Sequence, residues 1–321
     1  KWHVSSSGSD TTGLGTPFSP LRSIQAGLNL AGDGDTVLVS NGTFQENVVV
    51  RAKNTVLMGS GKDATFIDAN SNGTGLLITD LHNFNRYGEV GSFRAENLSI
   101  LNGTGEQDWT NPSGNGYNVG GAVYAFSGPN VVLNDIKCFN NNAIDGGAVG
   151  AQDAIMELNR VILHNNTSNS KGSAIWFRAG DLIIQNSLFY DNYYSNSEGV
   201  GSAIALSGGR YKLINNTIAN NHGYPIWAFD QNPSVLVANS ILTWHDGQGD
   251  RPYFTPNNEV PSYWYNNIIK TGINTGGVFN ELVSLQGFAN YYFEPSFVDT
   301  SNGNYQLANN SKAISSGRIS I

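Results

Sequence analysis

Charged side chains are scarce in this chain. Asp, Glu, Lys and Arg make up 13% of its 321 residues, about half the usual share of roughly a quarter. The 25 acidic residues outnumber the 17 basic ones, for a net charge of −8. Binding to nucleic acid or an anionic membrane surface calls for a basic surplus, so neither partner is expected. Cysteine is nearly missing: Cys138 is the only one. One thiol excludes an intrachain disulfide and a cysteine-based zinc site, and Cys138 reads as a small buried hydrophobe. The five histidines, His3, His82, His164, His222 and His245, lie far apart in sequence and suggest no metal cluster. No run of about 18 apolar residues occurs, so no membrane-spanning helix is expected. No signal peptide is legible in Lys1-Trp2-His3-Val4, so export is not read from it directly.

Glycine, asparagine, serine and threonine carry the polar surface instead, and they recur with a period. Between residues 121 and 245 one pattern repeats five times. It opens with Gly121-Ala-Val-Tyr, Gly147-Ala-Val-Gly, Ser173-Ala-Ile-Trp, Ser202-Ala-Ile-Ala and a decayed Pro225-Ile-Trp. An apolar run closed by asparagine follows, at Asn134, Asn159, Asn186, Asn215 and Asn239, at intervals of 25, 27, 29 and 24 residues. Six residues on, four copies carry a second asparagine: Asn140, Asn165, Asn192 and Asn221. Such a period without heptads marks a solenoid. The apolar runs are too short for helices and suit short strands. The expected fold is therefore all-β: a single-stranded, right-handed parallel β-helix with three sheets per coil. Right-handedness follows from the bias of parallel crossovers. Stacked asparagines at two bends would bond along the column, as amide ladders do in cross-β structures.

The expected organisation is one domain: an N-terminal cap over 1–35, coils over 36–270 and a C-terminal capping segment over 271–321. Leu21, Ile24 and Leu28 recur at helical spacing, with Ser19 as expected N-cap and Pro20 at the first helical position. A short amphipathic helix there would cover the open end of the solenoid.

Trp2-His-Val-Ser-Ser-Ser-Gly-Ser-Asp10, Ser23-Ile-Gln-Ala26 and Gly34-Asp-Thr-Val37 through Asn41-Gly-Thr-Phe-Gln-Glu-Asn47 resemble the opening of many secreted bacterial right-handed parallel β-helix proteins. Glu294-Pro-Ser-Phe-Val-Asp299, Gly303-Asn-Tyr-Gln-Leu307 and Ser311-Lys-Ala-Ile-Ser-Ser-Gly317 are similar to their closing segment. That group includes polysaccharide lyases, some glycoside hydrolases and surface proteins with no assigned activity. The resemblance implies a pectin-lyase-like fold and a secreted or cell-surface bacterial location. It brings no catalytic motif, and the run of aspartates marking the calcium site of β-helical pectate lyases is not present. No cofactor is expected. Calcium would have to use Asp68 and Asp80 with backbone carbonyls, and no motif supports it.

Residues 81–94 interrupt the coil spacing. Insertions at Gly103–Val119, with Glu106, Asp108 and Trp109, and at Asp246–Pro261 follow the same phase as the shorter connections 141–145, 166–171 and 193–200. Long connections often carry function, and these would rise beside the first strand of each coil. Period two sorts that strand into columns. Val123, Val149, Ile175, Ile204 and Ile226 should point inward, as should Ala125, Ala151, Phe177, Leu206 and Ala228. Tyr124, Phe126, Trp176, Trp227 and Phe229 should point outward, a large aromatic area to leave in water. With Trp109, they are the candidate sugar-binding residues; cover by loops or a partner chain is the competing explanation.

Charges near this face are the candidates for chemistry. Asp145 and Lys171 share a column and are expected to pair, as are Asp181 and Arg210. Arg178 stands among the aromatics. Asp80 and Asp153 would fall in one column about 9–10 Å apart at the backbone, near the upper end of the separation used by inverting glycosidases. Aspartate is also common in turns that follow strands. The expected function is a carbohydrate-active protein acting on a polysaccharide or oligosaccharide in an aromatic-lined groove, as a monomer. Glycoside hydrolase ranks ahead of polysaccharide lyase, because no basic cluster shows on the face. The alternatives are a non-catalytic glycan-binding or adhesive module, and a trimeric spike whose aromatics form the interface.

Overall fold

The computed structural model describes the chain except for residues 52, 80–90, 108–117, 197–200, 246–252, 255–261, 271–284, 287–289, 315 and 317–321. It is a right-handed parallel β-solenoid of about 7 turns with one short helix. The first sheet runs from Val48–Arg51 through Leu76–Thr79 and Val123–Phe126 to Tyr224–Ala228 and Tyr253–Phe254. The second runs from Trp2–Val4 and Thr36–Val39 to Ser234–Ala238 and Ser262–Tyr265. The third runs from Gly42–Gln45 and Thr65–Asp68 to Ile241–His245 and Ile268–Lys270.

The register follows the columns read from the sequence. Val123 pairs with Val149, Val149 with Ile175, Ile175 with Ile204, and Ile204 with Ile226. All five are at most 1% exposed and lie in the main core, with Ala125, Ala151, Phe177, Leu206 and Ala228. Side chains alternate across a strand, so a parallel stack in register sends the whole set to one side.

The connections differ from expectation. Segments read as loops after the third sheet form a fourth, smaller sheet. Asn142–Asp145 pairs with Thr167–Lys171, which pairs with Tyr193–Tyr194, all parallel. Glu106–Gln107 closes one side against Asn118–Val119 in antiparallel fashion. These segments recur at one phase of successive coils, so their backbone groups meet at strand spacing and bond to each other.

Asparagine ladders are present: Asn192 and Asn221 stand in one as expected, while in the other copies the inward residue lies one or two positions after the asparagine read from the sequence. At the bend between the second and third sheets, Arg160, Asn186, Asn215, Asn239 and Asn266 hold positive φ between 50° and 58°. The next residue points in. Ser187 Oγ accepts Val161 N–H, Asn216 Oδ1 accepts Ser187 N–H, Ser240 Oγ accepts Asn216 N–H, and Asn267 Oδ1 accepts Ser240 N–H, at 2.9–3.1 Å. At the bend after the third sheet, Asn140, Asn165, Asp191 and Asn220 take the left-handed position. There Asn141, Asn166, Asn192 and Asn221 form the buried ladder. Their Nδ2 groups donate to the next Oδ1 at 2.9, 2.9 and 2.8 Å. Asn159, Asn186 and Asn215 form only a looser outer row, with amide contacts of 3.2 and 3.4 Å.

The cap helix is Ile24–Leu30, and its N-cap is Ser23 rather than Ser19. Residues before it are committed elsewhere: Leu21 N–H donates to His3 O, and Asp10 accepts the N–H groups of Arg22 and Ser23. Coil residues hold both helix ends. The Glu46 carboxylate accepts Ile24 and Gln25 N–H at 2.8 and 3.0 Å, and burial raises its pKa against the pull of those bonds. Lys53 Nζ donates to Leu28 and Ala31 carbonyls at 2.9 Å. Opposite charges thus meet the helix ends that favour them.

On the outside of the third sheet, Phe139, His164 and Tyr190 stack ring on ring at 5.4 and 4.8 Å. Burial, aided by the Lys137 ammonium, pushes His164 down to about 4. The closing hairpin, Phe297–Asp299 with Asn304–Leu307, lies along this side of the solenoid, with Tyr305 4.9 Å from Tyr190.

Candidate functional site

The outer face of the first sheet is a second apolar layer rather than an open groove. Leu77, Tyr124, Gly150, Trp176, Ala205 and Trp227 pair in sequence across it. Tyr124 is 0% exposed, Phe126 1% and Trp176 4%, in one cluster with Val119 and Ala205. This corrects the expectation that Tyr124, Phe126 and Trp176 line an exposed cleft. Gly150 shows part of the cause. A Cβ there would stand 2.3 Å from Val119 Cγ1, so the missing side chain seats Val119 on the sheet. An outward residue of a solenoid strand meets water only where no further layer covers it. Trp109, the remaining aromatic candidate, lies outside the described residues.

At the other end of the face the rings remain half-buried. The Trp227 and Phe229 rings lie 4.7 Å apart, tilted by 36°. Lys171 Nζ lies 5.6 Å from the centre of the Phe229 ring and 3.9 Å from Asp145 Oδ2. Asp145 is 1% exposed, and its Oδ1 accepts the Lys171 backbone N–H at 2.7 Å. The expected Asp145–Lys171 pair therefore exists, and it stands against the aromatic face. The fourth sheet places it there, since Asp145 and Lys171 are register partners at the edge nearest the first sheet. Arg178 is half-buried on the same face as Trp176, in a row with Phe126, Gln152 and Ser207.

Tyr194 was not singled out from the sequence. It is 4% exposed, and burial followed by the Asp145 charge raises its pKa. Its ring lies over Gly201, where a Cβ would come within 2.4 Å. Its signal in the sequence is phase: Tyr193-Tyr194 recurs one coil after Thr167-Ser168, its register partners. Asp181 and Arg210 also pair as expected, with Arg210 Nε donating to Asp181 Oδ1 at 2.8 Å. They sit on the second sheet, away from this face.

The inverting carboxylate pair is not assembled among the described residues. Asp80 lies outside them. Asp153 is exposed at the corner where the chain leaves the first sheet, with φ of 50°. Ser127 and Ala179, its counterparts in the neighbouring coils, take φ of 70° and 57°. The fold imposes left-handed backbone there, and aspartate tolerates it. Asp68 accepts bonds from Asn70 N–H and Asn102 Nδ2, each at 2.9 Å. Among the described residues no three His, Cys, Asp or Glu side chains gather as a metal site would require.

No family model matches the chain, and no curated protein matches it. Among solved structures, XylC in complex with xylose superposes with a TM-score of 0.55 at 11% identity, over 92% of this chain and 68% of that one. The GH136 lacto-N-biosidase from Eubacterium ramulus gives 0.53 at 14% identity, over 84% of this chain and 56% of that one. A pectin methylesterase bound to a hexasaccharide gives 0.45 at 14%, over 95% and 84%. At such identities the likeness is one of fold. The chain spans just over half the length of the lacto-N-biosidase.

Proposed function

We propose that this is a secreted or surface-exposed carbohydrate-acting protein that binds an acidic oligosaccharide where Trp227 and Phe229 meet Lys171 and Arg178. The juxtaposition of the Lys171 ammonium, the Phe229 ring and the buried Asp145 carboxylate carries this reading. A half-buried ring pair offers an apolar platform to the C–H face of a sugar. Lys171 beside it, with Arg178 farther along the same face in the row of Ser207, suits a sugar carboxylate, and the planar guanidinium suits one bidentately. That XylC was solved with xylose and that the lacto-N-biosidase shares the fold supports a carbohydrate ligand.

The charges on the face bear on the reaction type. Hydrolysis by the usual route needs two carboxyl groups flanking the bond. Among the described residues the face offers one, Asp145, and it is engaged with Lys171. Lys171 and Arg178 instead suit neutralising a uronate, which makes the proton beside its carboxyl easier to remove: a solvent water takes that proton, the glycosidic C–O bond breaks, and the departing oxygen is protonated from solvent. Eliminative cleavage therefore moves ahead of hydrolysis. The engaged state of Asp145 also favours a second reading, a glycan-binding or adhesive module without catalysis.

A polysaccharide panel separates these. Polygalacturonate, alginate, hyaluronan, xylan and a neutral β-glucan would be incubated with the protein and followed both for reducing ends and for ultraviolet absorbance of unsaturated uronates. We expect both signals to rise together on an acidic polymer. Reducing ends without unsaturation would restore hydrolysis, and binding without either signal would establish the adhesive alternative.

A further inference from the structure

We infer that a second carbohydrate site, for a neutral sugar, lies in the cleft between the closing hairpin and the flank of the solenoid. The cleft has a volume of about 640 Å³, within the range of about 300–1,000 Å³ typical of small-molecule sites. It shares no residue with the Trp227 face, so it stands whether or not that face binds a glycan.

One wall is the exposed amide row, Asn186 and Asn215, with Thr217 beside it; the other is the hairpin, with Asn304, Tyr305 and Gln306. Five primary amides, Asn302 the fifth, converge on one space, and no charged side chain lines it. An amide presents a donor and an acceptor side by side, which matches the adjacent hydroxyls of a sugar and gives an ion no charge to pair with. Much of that capacity is uncommitted to strong bonds. Asn215 Nδ2 meets Asn186 Oδ1 only at 3.4 Å, and the amides of Asn186, Asn215 and Gln306 belong to exposed residues.

The walls are fixed in advance, which reduces the ordering cost of binding. Asn186 and Asn215 sit on left-handed corners set by the coil, at φ of 55° and 58°. The hairpin is tethered by Tyr305, 7% exposed, whose ring packs 4.9 Å from Tyr190 and 5.2 Å from Phe297. Gly303, at φ of 71°, lets the hairpin close down, since a Cβ there would stand 3.0 Å from Tyr190 Oη.

The test is calorimetric titration with xylobiose, cellobiose, lactose and N-acetyllactosamine, on wild type, on Asn186→Gly/Asn215→Gly/Gln306→Ala, and on Trp227→Ala. Glycine keeps the left-handed corners while removing the amides, and circular dichroism would confirm that the fold is retained. At least one neutral disaccharide should bind the wild type, weaken tenfold or more in the triple variant, and bind Trp227→Ala as it binds wild type. Failure of all four to bind, or equal binding by the triple variant, overturns the second site. Loss in Trp227→Ala alone would place neutral sugars on the first-sheet face instead.

Discussion

Asp145→Asn is expected to lower turnover of an acidic polysaccharide by about 100-fold and to leave the fold intact. In the proposed site the carboxylate acts by positioning Lys171 rather than by touching the sugar. Its Oδ1 accepts the Lys171 backbone N–H, and its Oδ2 stands 3.9 Å from the ammonium. Asparagine can still accept the backbone bond, but it no longer holds the ammonium beside Phe229. Losing one preorganised charge in a substrate site costs about 10²–10³ in rate. The decline should appear in kcat more than in KM, because Arg178 and the ring pair still bind the sugar. Lys171→Met is a poorer probe, since it removes a counter-charge from a carboxylate that is 1% exposed, a change that destabilises proteins on its own. Unchanged turnover by Asp145→Asn would remove the pair from the reaction. An equal fall in stability would show that its role is structural.

Asn166→Leu is expected to destabilise the solenoid by about 3 kcal/mol. Asn166 is 0% exposed and at the centre of the ladder. Its Oδ1 accepts Asn141 N–H and Asn141 Nδ2, at 3.1 and 2.9 Å. Its Nδ2 donates to Cys138 O and Asn192 Oδ1, at 3.0 and 2.9 Å. Leucine keeps the branching and the heavy-atom count of asparagine, so the loss would be chiefly one of hydrogen bonds. Buried donors and acceptors left without a partner cost about 1–3 kcal/mol each. Asn186→Gly, on the exposed outer row, should change stability by less than about 1 kcal/mol. Denaturant melts of the two variants check the contrast. Equal losses would mean that the buried column contributes no more than the outer one.

That contrast also shows what the sequence could and could not convey. The repeat and the period-two columns were legible because parallel stacking in register copies one pattern from coil to coil. The ladder position was legible at Asn192 and Asn221 but not in the other copies, because asparagine suits two adjacent roles at these bends. It tolerates left-handed backbone, and it bridges coils through its amide. In Asn140-Asn141, Asn165-Asn166 and Asn215-Asn216 both members satisfy the pattern, and only the backbone φ assigns them. The fourth sheet was hidden for a different reason. Thr167–Lys171 is polar throughout, so no apolar alternation marked it as a strand, and its pairing comes from repetition across coils.

The site was half legible. The sequence paired Asp145 with Lys171 and put Arg178 beside the aromatics, and the structure agrees. It did not separate Tyr124, Phe126 and Trp176, which pack under a second layer, from Trp227 and Phe229, which remain half-buried. Both groups alternate outward from the first sheet. Alternation tells which side of a sheet a ring takes, and only tertiary structure tells what lies over it.

The proposed sugar face is tested most directly by calorimetric titration of wild type and Trp227→Ala with oligogalacturonate, alongside xylo-oligosaccharide of the same length as the neutral control for that face. Stacking on an aromatic ring contributes about 0.5–1.5 kcal/mol beyond area burial, so removing the indole should weaken oligogalacturonate binding about tenfold. In the Asn186→Gly/Asn215→Gly/Gln306→Ala background, which lacks the hairpin-cleft amides, the acidic ligand should bind more tightly than its neutral counterpart, and raising the salt should narrow that difference. Equal oligogalacturonate affinity in wild type and variant, or no preference for the acidic ligand, would contradict a glycan site at Trp227, Phe229, Lys171 and Arg178.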